Sequence, residues 1–282
     1  MTTPCFADLG KQAKDLFNKN YHLGVVKLDF KTKTQNKVEF NVSGTSNTGT
    51  GNIAANLETK HFLPDYGLTM KEKWTTDNVL STELTVDDQF AKGLKLGFNG
   101  SFTPLSGKKS GVIKTSYKTD ALHLNGDVDL DHGGFIVHGA GVVRFQSWLG
   151  GAQLSFDPSK NAIKRNNIAV GYQTPEFNWT TNLADGKEAT STVYQRVNDQ
   201  LESGISLAWS TDNNSTRFGL GCIYKLDSET SVKAKVNNSG TIGLGLTHRL
   251  RPGVLLTLCA SIDGKNFNSG GHKLGMGLEL AA

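Results

Sequence analysis

The sequence predicts an all-β transmembrane barrel of about 19 strands, with a short amphipathic helix at its N-terminus that lies in the lumen. Apolar and polar residues alternate with a period of two from residue 25 to the end of the 282-residue chain. Clusters of Gly, Asn, Asp and Ser separate the alternating runs, as expected of turns. The mean hydropathy is only -0.34, and no apolar stretch approaches the roughly 18 residues of a membrane-spanning helix.

Residues 5–19 are expected to form one amphipathic helix. Apolar residues recur there every three or four positions and fall near one face: Phe6, Leu9, Ala13, Leu16 and Phe17. The rest of the helix surface carries mostly polar residues: Lys11, Lys14, Asp15 and Asn18. No second helical segment and no linker are expected further on. The chain therefore divides into an N-terminal unit, residues 1–24, and a barrel, residues 25–282.

The strands are predicted from strict alternation of apolar residues with Lys, Asp, Asn or Gly. The clearest runs have their apolar residues at Val26, Leu28 and Phe30; Val38, Phe40 and Val42; Leu94, Leu96 and Phe98; Leu122, Leu124, Val128 and Leu130; Val232, Ala234 and Val236; and Leu274, Met276, Leu278 and Leu280. Turn residues cluster between runs, for example at positions 46–49, 106–108, 237–240 and 263–265. Counting the runs gives about 19 strands of roughly 9–11 residues.

The number of strands decides between a soluble barrel and a membrane barrel. A closed sheet of about 19 strands, ~4.8 Å apart and tilted by ~40°, has a diameter of roughly 38 Å. Side chains cannot fill an interior that wide, so water must occupy it. The polar row then faces a wet lumen and the apolar row faces lipid. A soluble lipid-binding β-barrel, which needs a filled apolar interior, is the less favoured alternative.

Other classes of function lack support in the sequence. Cys5, Cys222 and Cys259 stand far apart and in no metal-ligand spacing, which argues against a disulfide scaffold or a zinc site. A net charge of +4 is too small for a dedicated nucleic-acid binder. No Ser-His-Asp, HExxH or paired-carboxylate motif stands out, so we expect no enzyme, no required cofactor and no metal.

Two adjacent predicted strands carry a family signature. Residues 224–238, followed by Gly243-Leu244-Gly245-Leu246, closely resemble the signature of eukaryotic porins. Shorter agreements extend along the chain, at residues 8–11, 27–29, 57–60, 72–74 and 270–275. The chain is similar to the mitochondrial voltage-dependent anion channels of animals, a family known for 19-stranded barrels, so our strand count is not independent of the resemblance. The resemblance implies a voltage-gated, weakly anion-selective channel for ATP, ADP, phosphate and small organic anions.

The last predicted strand also resembles a sorting signal. Lys273, Gly275, Leu278 and Leu280 have the spacing polar-x-Gly-x-x-hydrophobic-x-hydrophobic, which is similar to the sorting signal of mitochondrial outer-membrane barrels. The N-terminus lacks a basic segment followed by an apolar core, so no secretory signal is expected. The resemblance therefore implies an integral protein of the mitochondrial outer membrane. Taken alone, the same residues are simply an alternating strand.

The N-terminal helix is the first candidate functional element. Lysines inside a lumen raise the local concentration of anions. By resemblance, Lys11 and Lys19 match lysines that are credited with nucleotide contact, and Lys14 and Asp15 are expected beside them in the stream of ions. The alternative is a packing element that only docks its apolar face on the wall.

The linker after the helix departs from its relatives. Residues 20–24 are Asn-Tyr-His-Leu-Gly, whereas relatives are close to Gly-Tyr-Gly-Phe-Gly. Because only glycine visits positive φ freely, the loss of two glycines should stiffen the hinge. We expect altered voltage gating if helix mobility controls it.

Glu72 is the second candidate. It stands in the apolar row of its run, between Met70 and Trp74, where alternation predicts a side chain facing lipid. A carboxylate there is costly and marks a functional position. By resemblance it is linked to hexokinase docking and lipid contact. The alternative is a register slip or bulge that turns Glu72 inward.

The late strands are the third candidate. By resemblance, residues 241–243 and 259–263 match segments reported to contact NADH, so ATP and NADH are expected only as modulators. The residues concerned are Thr241, Ile242, Gly243, Cys259, Ala260, Ser261, Ile262 and Asp263. The alternative is that small residues here ease the curvature of the barrel.

The charges of the lumen suggest how the channel would select ions. The predicted inward row holds more cations than carboxylates, with its cations at Lys31, Lys33, Lys95, Arg217, Lys233, Lys235 and Lys273. A lumen this wide cannot strip hydration shells, so only a weak anion preference is expected. Asp127, Asp129 and Asp131 share one strand face, as either a cation site or a solvated strip.

Two further functional alternatives stay open at this point. One is an outer-membrane docking scaffold for hexokinase or apoptotic regulators that conducts weakly. The other is a protein-import pore of the same barrel superfamily. The isoform, the strength of gating and a homo-oligomeric state are left open by the sequence.

Overall fold

The computed structural model describes residues 2–131, 134–212, 214–268 and 270–282. The N-terminal segment forms a 3-10 turn, Phe6–Asp8, and one helix, α1, Lys11–Asn18. The expectation of a single helix over residues 5–19 is therefore wrong. Gly10 adopts a left-handed conformation with φ +69°, which an α-helix cannot continue through, so the segment bends before α1 begins.

The described residues form nineteen β-strands, as the alternation predicted. They are β1 Val25–Lys33, β2 Glu39–Asn47, β3 Ile53–Leu63, β4 Leu68–Thr75, β5 Leu80–Asp87, β6 Leu94–Thr103, β7 Lys108–Lys118, β8 Leu122–Asp131, β9 Gly134–Phe145, β10 Trp148–Asp157, β11 Ala162–Gln173, β12 Phe177–Ala184, β13 Glu188–Arg196, β14 Leu201–Ser210, β15 Ser215–Lys225, β16 Thr230–Asn237, β17 Thr241–Arg251, β18 Val254–Asp263 and β19 Lys273–Ala281. A further 3-10 turn, Pro64–Tyr66, connects β3 to β4 and corrects the expectation of no second helical segment.

All nineteen strands belong to one closed sheet. Each strand pairs antiparallel with its neighbours in sequence, and β1 pairs parallel with β19, from Val26↔Met276 to Lys31↔Ala281. An odd number of strands cannot close with antiparallel pairs alone, so one parallel pair is required. Closure leaves none of the described strands with an unpaired edge, which is the condition for a sheet to stand in lipid.

The two faces of the sheet have opposite character. The outward row carries large exposed apolar side chains, such as Leu28, Trp74 and Phe98. The inward row is mostly polar and charged. Among the described residues, the buried apolar side chains gather where the N-terminal segment meets the wall: Leu9, Ala13, Leu16, Val142, Leu149, Ala169, Tyr194 and Cys259. The barrel therefore has an open interior rather than a central apolar core.

In the part of the chain that the structure describes, no helix is both long and apolar enough to cross a bilayer.

Candidate pore and its N-terminal segment

Glycines on the inner wall of the barrel leave room for the apolar side chains of α1. A Cβ atom on Gly221 would lie 2.6 Å from Leu16 Cδ2, and one on Gly219 would lie 3.5 Å from Phe17 Cε1. Leu16 is 1% exposed and packs with Ala13 against Tyr194. Because α1 lies inside the barrel, these contacts also identify which face of each strand points inward.

The segment before α1 docks separately, further around the wall. Leu9 packs against Val142, Leu149 and Ala169 of β9–β11. The Thr3 hydroxyl donates a 2.6 Å hydrogen bond to the Asp120 carbonyl. The apolar face predicted from the sequence thus meets the wall in two places, on either side of the bend at Gly10.

The polar residues of α1 lie toward the lumen. Lys11, Lys14 and Lys19 are exposed, and Asp15 is half-buried. Lys11 lies 3.0 Å from Asp8. Hydrogen bonds from the Cys5 thiol and from Lys11 hold the pKa of Asp8 below its ordinary value.

A cavity of about 310 Å³ lies beside the end of α1, between the helix and part of the wall. It is lined in part by Asp15, Lys19, Glu202 and Lys233. Glu202 also accepts a hydrogen bond from Lys225 at 3.0 Å. The cavity thus mixes two carboxylates with two ammonium groups.

The linker is held against the wall by hydrogen bonds from β16 and β18. Lys235 donates a 2.6 Å hydrogen bond to the Phe17 carbonyl and stands 4.1 Å from the centre of the Tyr21 ring. The Cys259 thiol donates to the Asn20 carbonyl at 3.2 Å and accepts from the His22 amide at 3.4 Å. These contacts fix the chain at the end of α1.

The rest of the linker lies on β19. The Gly24 amide donates to the Leu274 carbonyl at 3.1 Å. The His22 imidazole lies over Gly277, where a Cβ would stand 2.6 Å from Cδ2, and the His22 carbonyl lies directly over Gly275. Burial, followed by the nearby Lys27 ammonium, lowers the pKa of His22. Two glycines of the last strand thus provide the room that a histidine in the linker needs.

Every cation predicted to face the lumen lies on the inward row when alternation is carried around the barrel from Gly221. Three of them have carboxylate partners on neighbouring strands: Lys33 with Glu39 at 3.0 Å, Lys95 with Asp87 at 3.3 Å and Arg217 with Glu188. Lys71, a lumen cation that the sequence analysis did not name, pairs with Glu58 at 3.2 Å. Lys27 and Asp29 pair at 2.6 Å along β1. The positive excess of the lumen is therefore smaller than a count of lysines suggests.

Glu72 lies on the outward row. Its cross-strand neighbours are Thr59 and Thr82, and the pairing of β4 with β3 and β5 runs without a shift. The side chain is exposed, between Met70 and Trp74. The register slip considered as an alternative does not occur.

The residues assigned to NADH contact are divided between the two faces. Thr241, Gly243, Ser261 and Asp263 share the inward row with Cys259, which the linker covers. Ile242, Ala260 and Ile262 point outward because strand side chains alternate. Of the eight residues expected to contact NADH, these three therefore do not face the lumen.

Sequence reasoning missed a cluster on β8–β10. His138 lies 3.1 Å from Asp129 through Nε2 and 2.7 Å from the Ser155 hydroxyl through Nδ1. Only the strand register brings these residues together, so no local motif could have found them. Asp127 lies on the same inward row, and the side chain of Asp131 is outside the described residues. Among the described residues, no group of three or more His, Cys, Asp or Glu side chains could hold a metal ion.

The family model described as "Eukaryotic porin" matches residues 2–275. The chain belongs to the eukaryotic porin family. It is 53% identical over 279 residues to "Non-selective voltage-gated ion channel VDAC2" of Xenopus laevis, with 99% of each chain covered. It is 51% identical to the protein of the same name from Homo sapiens, covering 99% of this chain and 95% of the relative. A solved mutant porin of Rh. blastica aligns over 90% of this chain and 94% of its own, with a TM-score of 0.48 and 10% identity.

Membership in the eukaryotic porin family reduces the number of alternative functions that the sequence left open. Eukaryotic porins are a channel family and not an enzyme family, and relatives at about half identity are named ion channels. The barrel and its family support an integral outer-membrane protein. The last strand of this porin, β19, carries Lys273, Gly275, Leu278 and Leu280, the residues of the expected sorting signal.

Proposed function

We propose that this porin is a voltage-gated channel through which ions and small metabolites diffuse passively across the mitochondrial outer membrane. The open, charged lumen is the observation that carries the proposal. A helix about 10–12 Å across, docked on one wall of a barrel roughly 38 Å wide, leaves a continuous aqueous path. On another part of the inner wall, Lys31, Lys33, Glu39 and Glu58 line an open cavity of about 550 Å³.

The channel favours anions only weakly. The ion pairs across the wall offset much of the lysine charge, and permeants keep their hydration in a lumen of this width. ATP, ADP and phosphate pass beside Lys11 and Lys14 of α1 and beside Lys19, which follows it. ATP and NADH act at most as modulators, NADH through Thr241, Gly243, Ser261 and Asp263 on the inward row. The proposed location in mitochondria is based on the expected sorting signal of β19.

Single-channel recording in a planar bilayer under a KCl gradient tests this function. We expect a large conductance, a reversal potential displaced toward that of chloride, and closure as the voltage rises at either polarity. Folded protein that inserts without conducting would contradict the proposal. A large conductance that never closes would keep the channel and assign the missing gating to the linker at Asn20–Leu23.

The outward position of Glu72 favours a second function as a docking surface for hexokinase or apoptotic regulators. We expect Glu72→Gln to reduce hexokinase recruitment to proteoliposomes severalfold, because the substitution removes a carboxylate charge from the outward row. Glu83→Gln is the matched control, since Glu83 faces the lumen on the neighbouring strand β5. Full recruitment by the Glu72 variant would remove this second function.

A further inference from the structure

His138 lies on the lumen wall between two kinds of hydrogen-bond partner. Its Nε2 is 3.1 Å from the Asp129 carboxylate on β8, and its Nδ1 is 2.7 Å from the Ser155 hydroxyl on β10. Residues 138 and 155 are direct cross-strand partners, so the register of β9 and β10 holds the second contact in place. The histidine is thus oriented from both sides.

The two partners determine which nitrogen carries the proton when the ring is neutral. A carboxylate only accepts hydrogen bonds, so Nε2–H donates to Asp129. Nδ1 is then the acceptor, and the Ser155 hydroxyl donates to it. A hydroxyl can also accept, so when Nδ1 gains a proton the Ser155 hydroxyl rotates and the hydrogen bond reverses. The site can therefore change its charge while both of its hydrogen bonds are kept.

Burial shields one side of the site and leaves the other open to solvent. Ser155 is 2% exposed, so water does not compete for its hydrogen bond with the ring. The side chains of His138 and Asp129 are 29% and 43% exposed. Protons from the lumen can thus reach the ring, and the charge of the ring acts on ions in the lumen.

The charged groups around His138 determine how its protonation changes the net charge of this part of the lumen wall. On β8, Asp127 is its direct cross-strand partner and Asp129 is its hydrogen-bond partner. Asp127 pairs in turn with Lys114 of β7, which lies 3.9 Å from Glu83. This part of the wall is therefore acidic when the imidazole is neutral.

The charges on the other side of His138 lie on β10 and β11. Asp157 follows Ser155 on the inward row and pairs with Lys164 at 2.9 Å. Arg165 is the cross-strand partner of Ser155 on β11. Asp157 and Lys164 offset each other and Arg165 leaves one positive charge, which the two carboxylates of β8, Asp127 and Asp129, outweigh.

We propose that His138 is a selectivity-determining residue of the pore, whose protonation makes anion preference increase as the pH falls. The proposal rests on the proposed channel function and extends it. Histidine is the side chain that ordinarily changes charge between about pH 5 and pH 8. Imidazolium offsets the acidic strip formed by Asp127 and Asp129 and removes a region that attracts cations.

The reversal potential under a KCl gradient, recorded from about pH 8 down to about pH 5 in neutral lipid at low voltage, measures the effect. For the wild-type porin we expect the chloride-to-potassium permeability ratio to rise by less than about twofold, because one wall charge acts over a Debye length of ~10 Å at 0.1 M salt. His138→Gln should lose most of this rise, with the remainder due to His22 and His123. His138→Arg should hold the ratio near its acidic value, apart from that same remainder.

Two further variants make the test specific. Ser155→Ala removes the hydrogen-bond partner of Nδ1 in both charge states, so the pH range of the rise in anion preference should change. His248→Gln is the matched control, because His248 lies on the outward row near Thr230 and should leave the titration unchanged. The proposal fails if the Gln and Arg variants of His138 titrate like the wild-type protein. Absence of conductance in the wild-type protein would instead overturn the channel function.

Discussion

Leu16→Ala will loosen α1 from the barrel wall by about 2–3 kcal/mol, at the lower end of the cost for a buried leucine. Leu16 is 1% exposed, and its methyl groups fill the space over Gly204 and Gly221. A helix of eight residues is too short to persist in water by itself, so docking is what maintains it. We expect the docking equilibrium to fall by about 30- to 150-fold.

Amide hydrogen exchange of residues 11–18 in the reconstituted protein measures this change directly. Exchange in α1 should accelerate by the same factor, because detachment and unfolding of this helix are one event. Leu220→Ala is the matched control, since Leu220 adjoins Gly221 but faces lipid, 41% exposed. Unchanged exchange in the Leu16 variant would mean that other contacts hold α1.

Gly275→Ala will push the linker off β19. The new Cβ would overlap the His22 carbonyl, a backbone atom that moves only if the linker moves. Overpacking of this kind costs about 1–3 kcal/mol, which corresponds to a shift of about 5- to 150-fold toward the displaced linker. Because the linker covers Cys259, its displacement should raise the labelling rate of that thiol by a maleimide in the lumen, in a Cys5→Ser, Cys222→Ser background.

Gly277→Ala separates a side-chain clash from a backbone clash. The three atoms nearest to the new Cβ there all belong to the His22 imidazole, with Cδ2 at 2.6 Å. We expect His22→Gly to restore slow labelling of Cys259 in the Gly277 variant and not in the Gly275 variant. Rescue of both variants would show that overlap with the His22 carbonyl is not what displaces the linker in Gly275→Ala.

The sequence predicted well whatever depends on local periodicity. Alternation identified the strands, the inward lysines and the outward position of Glu72, because a strand repeats every two residues. The helical periodicity of residues 5–19 failed at Gly10, because a glycine within a helical pattern does not reveal whether the helix continues through it or bends. The sequence could not predict the contacts of Cys259 with Asn20 and of His138 with Ser155, because they depend on barrel closure and on register between strands.

The parallel seam between β1 and β19 sets the order in which this protein can be assembled. Hairpins between consecutive strands can form as soon as both strands exist, but the seam joins the two ends of the chain. Until β19 is in place, β1 and the growing end of the sheet are open edges, which hydrocarbon does not tolerate. Insertion must therefore follow synthesis of the whole chain, and something other than lipid must cover those edges until the barrel closes.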